Sequence, residues 1–316
     1  MQLQYERLIA RAPSVVMQSY TERDTVLYAL AVGAGRPDPC APEALRYTYE
    51  AGLQALPTMA VVLGNGPNWY VEPQWGIDFT RLLHGEQMLT VHRPLPASGT
   101  VIATETVEAI YDKGADKGAV MFVKRQLHDT GGDLLVEVRS SAFLRGNGGF
   151  GGPSSGGPTP QPIPSDRAAD AGINTHTAAD QASLYRLCGD TNPLHIDPSM
   201  ARSAGFDRPI LHGLCTYGIA SHALIAMFCA HDAARVKRID VRFSRPVYPG
   251  ELLRTDAWLL GDNHVAFRCS VPARGVTVID NRLGAVALNA TTLAPGATAA
   301  GALPYVAQVA DILATL

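Results

Sequence analysis

The sequence predicts an α+β fold in which antiparallel strands wrap around a buried helix, and it predicts that this unit occurs twice. Three observations carry the prediction. The stretch "LHGLCTYGIASHALIAMFCAHDAA" (211–234) is apolar on nearly every helical face, through Leu214, Tyr217, Ile219, Ala220, Leu224, Ile225 and Phe228. A helix of that pattern, too short and too rich in His for a membrane, belongs inside a protein. Strand-like runs rich in Val, Leu and Thr follow it, which suits a sheet folded over a helix. The third observation is repetition: "RPLPASG" (93–99) lines up with "RPVYPGE" (245–251), each between a strand-like run and three further ones. Pro is tolerated at such a strand end because no inner ladder needs its missing N–H.

The remaining elements follow in chain order. "TERDTVLYALAVGAG" (21–35) reads as a helix with a capping box, Thr21 with Asp24, stopping at Gly33. "LPTMAVVLG" (56–64) reads as a shorter helical piece, so the first half has counterparts to the long buried helix. "GNGGFGGPSSGGPTPQPIPSD" (146–166) is dominated by Gly, Pro and Ser and reads as a linker. Its glycines resemble a phosphate-cradling loop, but the strand–turn–helix setting such a loop needs is missing. "THTAADQASLYRLCGD" (175–190) reads as a short helix capped by Thr177 and stopped by Gly189. The expected organisation is therefore a first domain over 1–148, a linker over 149–166, a second domain over 167–296 and an extension over 297–316.

Composition narrows the function. The 316 residues carry 26 basic and 29 acidic side chains, a net charge of −3, which speaks against a nucleic-acid partner. No apolar run reaches the roughly 18 residues of a membrane span, so no membrane partner is expected. The start "MQLQYERLIARAPS" lacks a basic-then-apolar pattern, and export is not expected. The five cysteines are scattered without a C-x-x-C pair, so neither a disulfide framework nor a structural zinc site is expected, and a reducing cytoplasm fits.

"YRLCGDTNPLHIDP" (185–198) raises the chemical question. Gly, Asp, Asn and Pro make a turn, and Asp190 and Asn192 can close it on their own backbone, with His195 as a half-buried polar residue. A second reading gives Asp190 and His195 a shared task. It gains weight from "RPILHGLCTYG" (208–218), which sets Gly213 at the start of the buried helix. The first helix amides have no partner and lie at the positive dipole end, where a developing oxyanion can be held.

Taken together, "YRLCGDTNPLHIDPSMARSAGF", "PILHGLCTYG", "LRYTYEAGLQALPTMAVVLG", "LHGEQMLTVHRPLPASG" and "GNGGFGG" resemble the two-domain MaoC-like (R)-specific enoyl-CoA hydratases, often called hydratase 2. They look like the hydratase part of peroxisomal multifunctional enzymes. The resemblance implies a double hotdog, two helix-in-antiparallel-sheet units fused in one chain. It implies reversible syn addition of water to a trans-2-enoyl-CoA of medium to long chain, without cofactor or metal. Asp190 and His195 match the family's catalytic pair, Asn192 the residue ordering the site and Gly213 the amide facing the thioester oxygen. Tyr28, Glu50, His84 and Glu86 fall on positions linked to the site. His84 and Glu86 can equally form a hydrogen-bonded pair between the halves, and Glu50 a solvated carboxylate on a helix face. The first half, without its own Asp-x-Asn-Pro-x-His motif, is expected to make room for the acyl chain. The expected partners are the acyl-CoA thioester and a second copy of the chain in a homodimer.

Three other readings compete with the hydratase. A hotdog thioesterase would direct water to the thioester carbonyl and release coenzyme A. A non-catalytic acyl-CoA binder would be expected to lack Asp190 or His195. A dehydratase acting on carrier-protein thioesters would share the chemistry and differ in the handle.

Overall fold

A computed structural model describes residues 2–158, 163–261, 264–280 and the short strand 286–288. The expected extension at 297–316 and positions 159–162 of the linker lie outside these residues. The strands are β1 (Ser14–Tyr20), β2 (Leu82–Val91), β3 (Gly99–Asp112), β4 (Ala119–His128), β5 (Leu134–Leu144), β6 (Ala171–His176), β7 (Val236–Phe243), β8 (Leu252–Gly261), β9 (His264–Val271), β10 (Val276–Asp280) and β11 (Val286–Leu288). The α-helices are α1 (Tyr5–Ile9), α2 (Glu22–Ala31), α3 (Pro42–Thr48), α4 (Gln181–Tyr185), α5 (Pro198–Ser203) and α6 (Gly213–Cys229).

All strands join one antiparallel sheet in the order β1-β3-β4-β5-β2-β7-β10-β9-β8-β6, with β11 continuing beside β7 and β9. The order reads the same from either end if β1 is matched with β6, β3 with β8, β4 with β9, β5 with β10 and β2 with β7. The duplication suggested by the Arg-Pro turns is thus a pseudo-twofold, and β2–β7 is its seam. There Met88 stands opposite Asp240 and Glu86 opposite Arg242. Fold and composition together are α+β, a double hotdog.

The sheet curls around α6. Tyr217, Ile219, Leu224, Ile225 and Phe228 are buried in one core with Leu89, Val136, Val138, Ile239 and Val241 from both halves. A wholly buried helix must satisfy its own polar groups. Ser221 Oγ donates to the Tyr217 carbonyl at 2.7 Å, and Tyr217 Oη donates to Ile239 O on β7 at 3.0 Å. Gly218 is where α2 crosses: a Cβ there would stand 2.5 Å from Val32 Cγ1 and 3.0 Å from Tyr28 Oη. Ala230 and His231, both left-handed, end the helix one turn short of the predicted 234.

The first half differs in its central piece. Residues 56–64 form a six-residue 3-10 helix, Pro57–Val62, where the second half has a seventeen-residue α-helix. Gly64, at φ +65°, stops it, and a Cβ there would meet Ala103 Cβ at 2.2 Å. The capping box of α2 is present, with the Thr21 N–H donating to Asp24 Oδ2 at 2.8 Å. The helix expected over 175–190 is shorter than that. Residues 171–176 pair with β8, Thr177 donates its hydroxyl to Glu251 O rather than capping, and α4 begins only at Gln181. Strand pairing wins over helix propensity there because these residues add β6 alongside β8.

The glycine-rich segment after β5 is pinned to the body. Asp112, at the end of β3, accepts the N–H groups of Gly114, Gly149 and Gly151 at 2.7–2.8 Å. Phe150 stacks on Tyr5 at 5.1 Å. The glycines do cradle an anion, but the anion is the chain's own carboxylate. These bonds to the charged form hold Asp112 below the usual carboxylate range. Asp112→Ala is expected to lower unfolding free energy by about 1–3 kcal/mol at neutral pH. Because the folded pKa is depressed, the wild-type advantage exists above the unfolded carboxylate value of about 3.9 and disappears as pH falls through the folded one. Urea unfolding of both proteins between neutral pH and pH 3 checks this, and an undiminished gap in acid would argue against the charge.

Candidate active site

The Asp190–His195 segment is an overhang between α4 and α6, shaped by its own side chains. Gly189 turns the chain at φ +120°. Asp190 Oδ1 accepts the Asn192 N–H at 3.2 Å, and Asn192 Oδ1 accepts the Leu194 N–H at 3.0 Å, capping the one-turn helix Pro193–His195. Asp197 then caps α5 through Ser199. The turn reading of Asp190 and Asn192 is therefore correct as local structure, and it delivers both residues to one place.

His195 is half-buried, and its Nδ1 lies 2.9 Å from the Ile210 carbonyl. A carbonyl only accepts, so Nδ1 carries the hydrogen and Nε2 is left as the basic nitrogen. Below it lies His212, a buried residue at the N-cap of α6, stacked on His195 with ring centroids 3.8 Å apart. His212 Nε2 sits 3.2 Å from the Asp190 main-chain oxygen. Asp190, His195 and His212 present side-chain donor atoms within 4.8 Å of one another. His212, which directly precedes Gly213, is not among the residues the sequence singles out. An imidazole beside a helix start that receives a reactive turn was the available signal.

Gly213 is the first residue of α6. The N–H groups of Cys215 and Thr216 return to His212 O, at 3.1 Å each. The amides of Gly213 and Leu214 have no partner within the helix. A Cβ on Gly213 would stand 3.4 Å from the Phe243 ring, so the glycine keeps the backbone open beside β7. The other face of this corner comes from the first half: His84 on β2 meets Phe243 edge-on at 5.0 Å.

The four residues of the first half have different fates. His84 reaches the site, close enough to feel the Asp190 charge. Its ring nitrogen lies 3.1 Å from the Glu86 main-chain oxygen on the same strand, so His84 and Glu86 are not a side-chain pair between the halves. Glu86 stands opposite Arg242 across the seam. Burial raises its carboxyl above the usual value. Tyr28 is buried on α2 and reaches the site through other rings: its own is 6.2 Å from Tyr185, whose ring is 4.9 Å from His212. Glu50 is exposed in a bend past the end of α3 rather than on a helix face, and the structure does not bring it to the cluster.

Electrostatics favour neutral imidazoles. Burial pushes His212 down to about 4, and the neighbouring His195 lowers it further. His195 is also lowered by burial, against the opposing pull of its bond to Ile210 and the Asp190 charge. A base with a lowered pKa stays active below the ordinary imidazole value of about 6.5 and is lost only as pH falls through the lower folded value. The pH profile of kcat/KM is therefore expected to stay level through pH 6.5 and to fall in more acid solution. A half-point at or above 6.5 would contradict the burial argument. Chemically, the cluster offers a carboxylate, a neutral imidazole and free helix amides around one corner, a set able to hold a water and polarise a carbonyl.

The fold defines a double hotdog protein, and its family models and enoyl-CoA hydratase 2 relatives make it a hydro-lyase. Residues 162–281 match the MaoC like domain, and residues 18–146 match the MFE-2 hydratase 2 N-terminal domain. The chain belongs to the MaoC-like hydratase 2 family. It is 36% identical over 292 residues to the probable enoyl-CoA hydratase 2 of Dictyostelium discoideum, covering 89% of this chain and 96% of that one. It is 40% identical over 271 residues to peroxisomal multifunctional enzyme type 2 of Mus musculus, covering 83% of this chain and 36% of the larger protein. The solved MaoC-like dehydratase of Phytophthora capsici superposes with a TM-score of 0.80 at 34% identity, covering 91% of this chain and 98% of that one.

Proposed function

We propose that the chain is an (R)-specific enoyl-CoA hydratase that adds water reversibly to trans-2-enoyl-CoA, with Asp190 and His195 as its catalytic pair. The observation that supports this best is the gathering of the Asp190 and His195 side chains with His212, the N-cap residue of α6. One water held between the pair gives up a proton to it while its oxygen bonds to C3. The electron pair of the double bond moves toward the thioester, where the Gly213 N–H stabilises the enolate oxygen. The pair then delivers a proton to C2 from the same side, so atoms and charge balance and the addition is syn. Asn192 holds the turn, and His84 closes the site from the first half. No cofactor or metal enters this scheme.

Medium to long acyl chains fit best, because the first half has only the Pro57–Val62 turn where the second has α6. In this division of labour residues 1–148 accommodate the chain, 149–166 link, and 167–296 carry the chemistry. Among the described residues no helix is long and apolar enough to cross a membrane. Five free thiols suit the cytoplasm. A homodimer is the expected assembly, since β1 and β6 each leave one sheet edge open.

Hydration of crotonyl-CoA and of a longer trans-2-enoyl-CoA, followed by loss of the conjugated absorbance, tests the reading. The product is then offered to (R)- and (S)-specific dehydrogenases. An (R)-product is expected. Free coenzyme A without hydration would move the protein to the thioesterases.

A further inference from the structure

The last carbonyls of a helix lack partners within it, and α2 ends at Ala31. The second half takes up that carbonyl. Gln181 Nε2 donates to Ala31 O at 2.5 Å, and Cys215 Sγ donates to it at 3.4 Å. Gln181 opens α4, which leads through Gly189 to Asp190, and Cys215 lies just past Gly213 on α6. The overhang with the catalytic pair and the helix start beside it therefore share one reference atom, on the other half of the molecule.

We infer that Gln181 is a positioning residue for the hydration: it sets the Asp190 overhang against the start of α6 by fastening α4 to the end of α2. The inference rests on the hydratase reading above, and it gives the first half a part in the chemistry besides housing the acyl chain. Gln181 is 0% exposed. Its oxygen accepts from Arg36 Nη1 at 2.8 Å and from the Ala178 N–H at 2.9 Å. Both lone pairs of that oxygen are used, so the amide cannot turn over without losing bonds. Arg36, like Ala31, belongs to the first half.

The end of α2 is itself held in place. Gly218 on α6 admits it, since a Cβ there would stand 2.5 Å from Val32 Cγ1. One turn earlier, the Tyr28 ring lies 6.2 Å from that of Tyr185, the last residue of α4. Such apolar contacts are non-directional and let helices slide. The buried amide does not, because sliding would leave buried donors and acceptors unpaired. From Gln181 the chain is helical as far as Cys188, α4 running directly into the one-turn 3-10 helix Arg186–Cys188. A shift at Gln181 thus meets no joint before Gly189, and it arrives at Asp190.

The test uses Gln181→Met, which keeps the length and fill of the side chain and removes its hydrogen bonds. Hydration of a trans-2-enoyl-CoA is expected to lose kcat by about tenfold to 10²-fold, the range of a small misplacement of reacting groups, with KM little changed. In the Asp190→Asn background the same substitution should cost nothing further, because it acts through Asp190. Arg36→Met, at an exposed residue, should show the same pattern with a smaller loss, and it decides alone if Gln181→Met does not fold. A lowered Tm with unchanged kcat, or an undiminished loss in the Asp190→Asn background, would overturn the inference. If wild type hydrates no enoyl-CoA, the hydratase reading fails, and NMR titration of the His195 ring still reads the positioning. The Asp190 charge raises the His195 pKa, so its midpoint should fall in Gln181→Met; superimposable curves would overturn the inference.

Discussion

Asp190→Asn is expected to lower kcat for hydration by about 10²–10⁴-fold, the range of a positioned general acid–base group, while KM changes little. The substitution is chosen to spare the turn. Asn keeps an oxygen where Asp190 Oδ1 accepts the Asn192 N–H, so the loop that carries the site can form unchanged. What disappears is the carboxylate charge next to His195 and His84. His195→Gln should be comparably damaging, since Nε2 is the basic nitrogen and its partner Ile210 O can still be met by an amide. The double variant should be little worse than either alone, because the two act on one water. Steady-state kinetics on crotonyl-CoA measures this, with circular dichroism as the control for folding. Retention of more than a tenth of the wild-type kcat in Asp190→Asn would remove it from the chemistry.

Gly213→Pro should lower kcat by about 10²–10³-fold, the loss typical of one oxyanion donor. Proline is accommodated at the first position of a helix, where its missing N–H costs no helical hydrogen bond. The residue before it must be extended, and His212 already is, at φ −55° and ψ 132°. The new Cβ would stand 3.4 Å from the Phe243 ring. Gly213→Ala adds the same Cβ and keeps the amide, so it separates crowding from hydrogen bonding. Kinetics of the pair decide: equal losses would mean that the Gly213 N–H does not hold the developing charge.

What the sequence makes legible is set by the range of the interactions involved. The α6 helix, the capping box of α2 and the Asn192 turn are short-range features, and their residues announce them. The seam is not. Nothing in "LHGEQMLTV" or "VKRIDVRF" says that Glu86 will face Arg242, because that pairing joins strands about 150 residues apart. The same limit hid His212, whose partners come from the overhang, and misplaced Glu50, whose neighbourhood depends on where α3 ends. It also made the helix over 175–190 too long, since propensity alone cannot weigh a sheet edge waiting for β6. The glycine-rich stretch has linker composition, and nothing in it shows that Asp112 fastens it, a contact set by a strand end 37 residues upstream.

The central claim is that one pair, on one side of the substrate, handles both protons. The most direct test is hydration of a trans-2-enoyl-CoA in D₂O, with the relative configuration at C2 and C3 read from proton coupling constants. The account predicts that deuterium and hydroxyl arrive on the same face, with the (R)-configuration at C3. Arrival on opposite faces, or a mixture at C2 formed faster than exchange, would show that Asp190 and His195 do not share a single water.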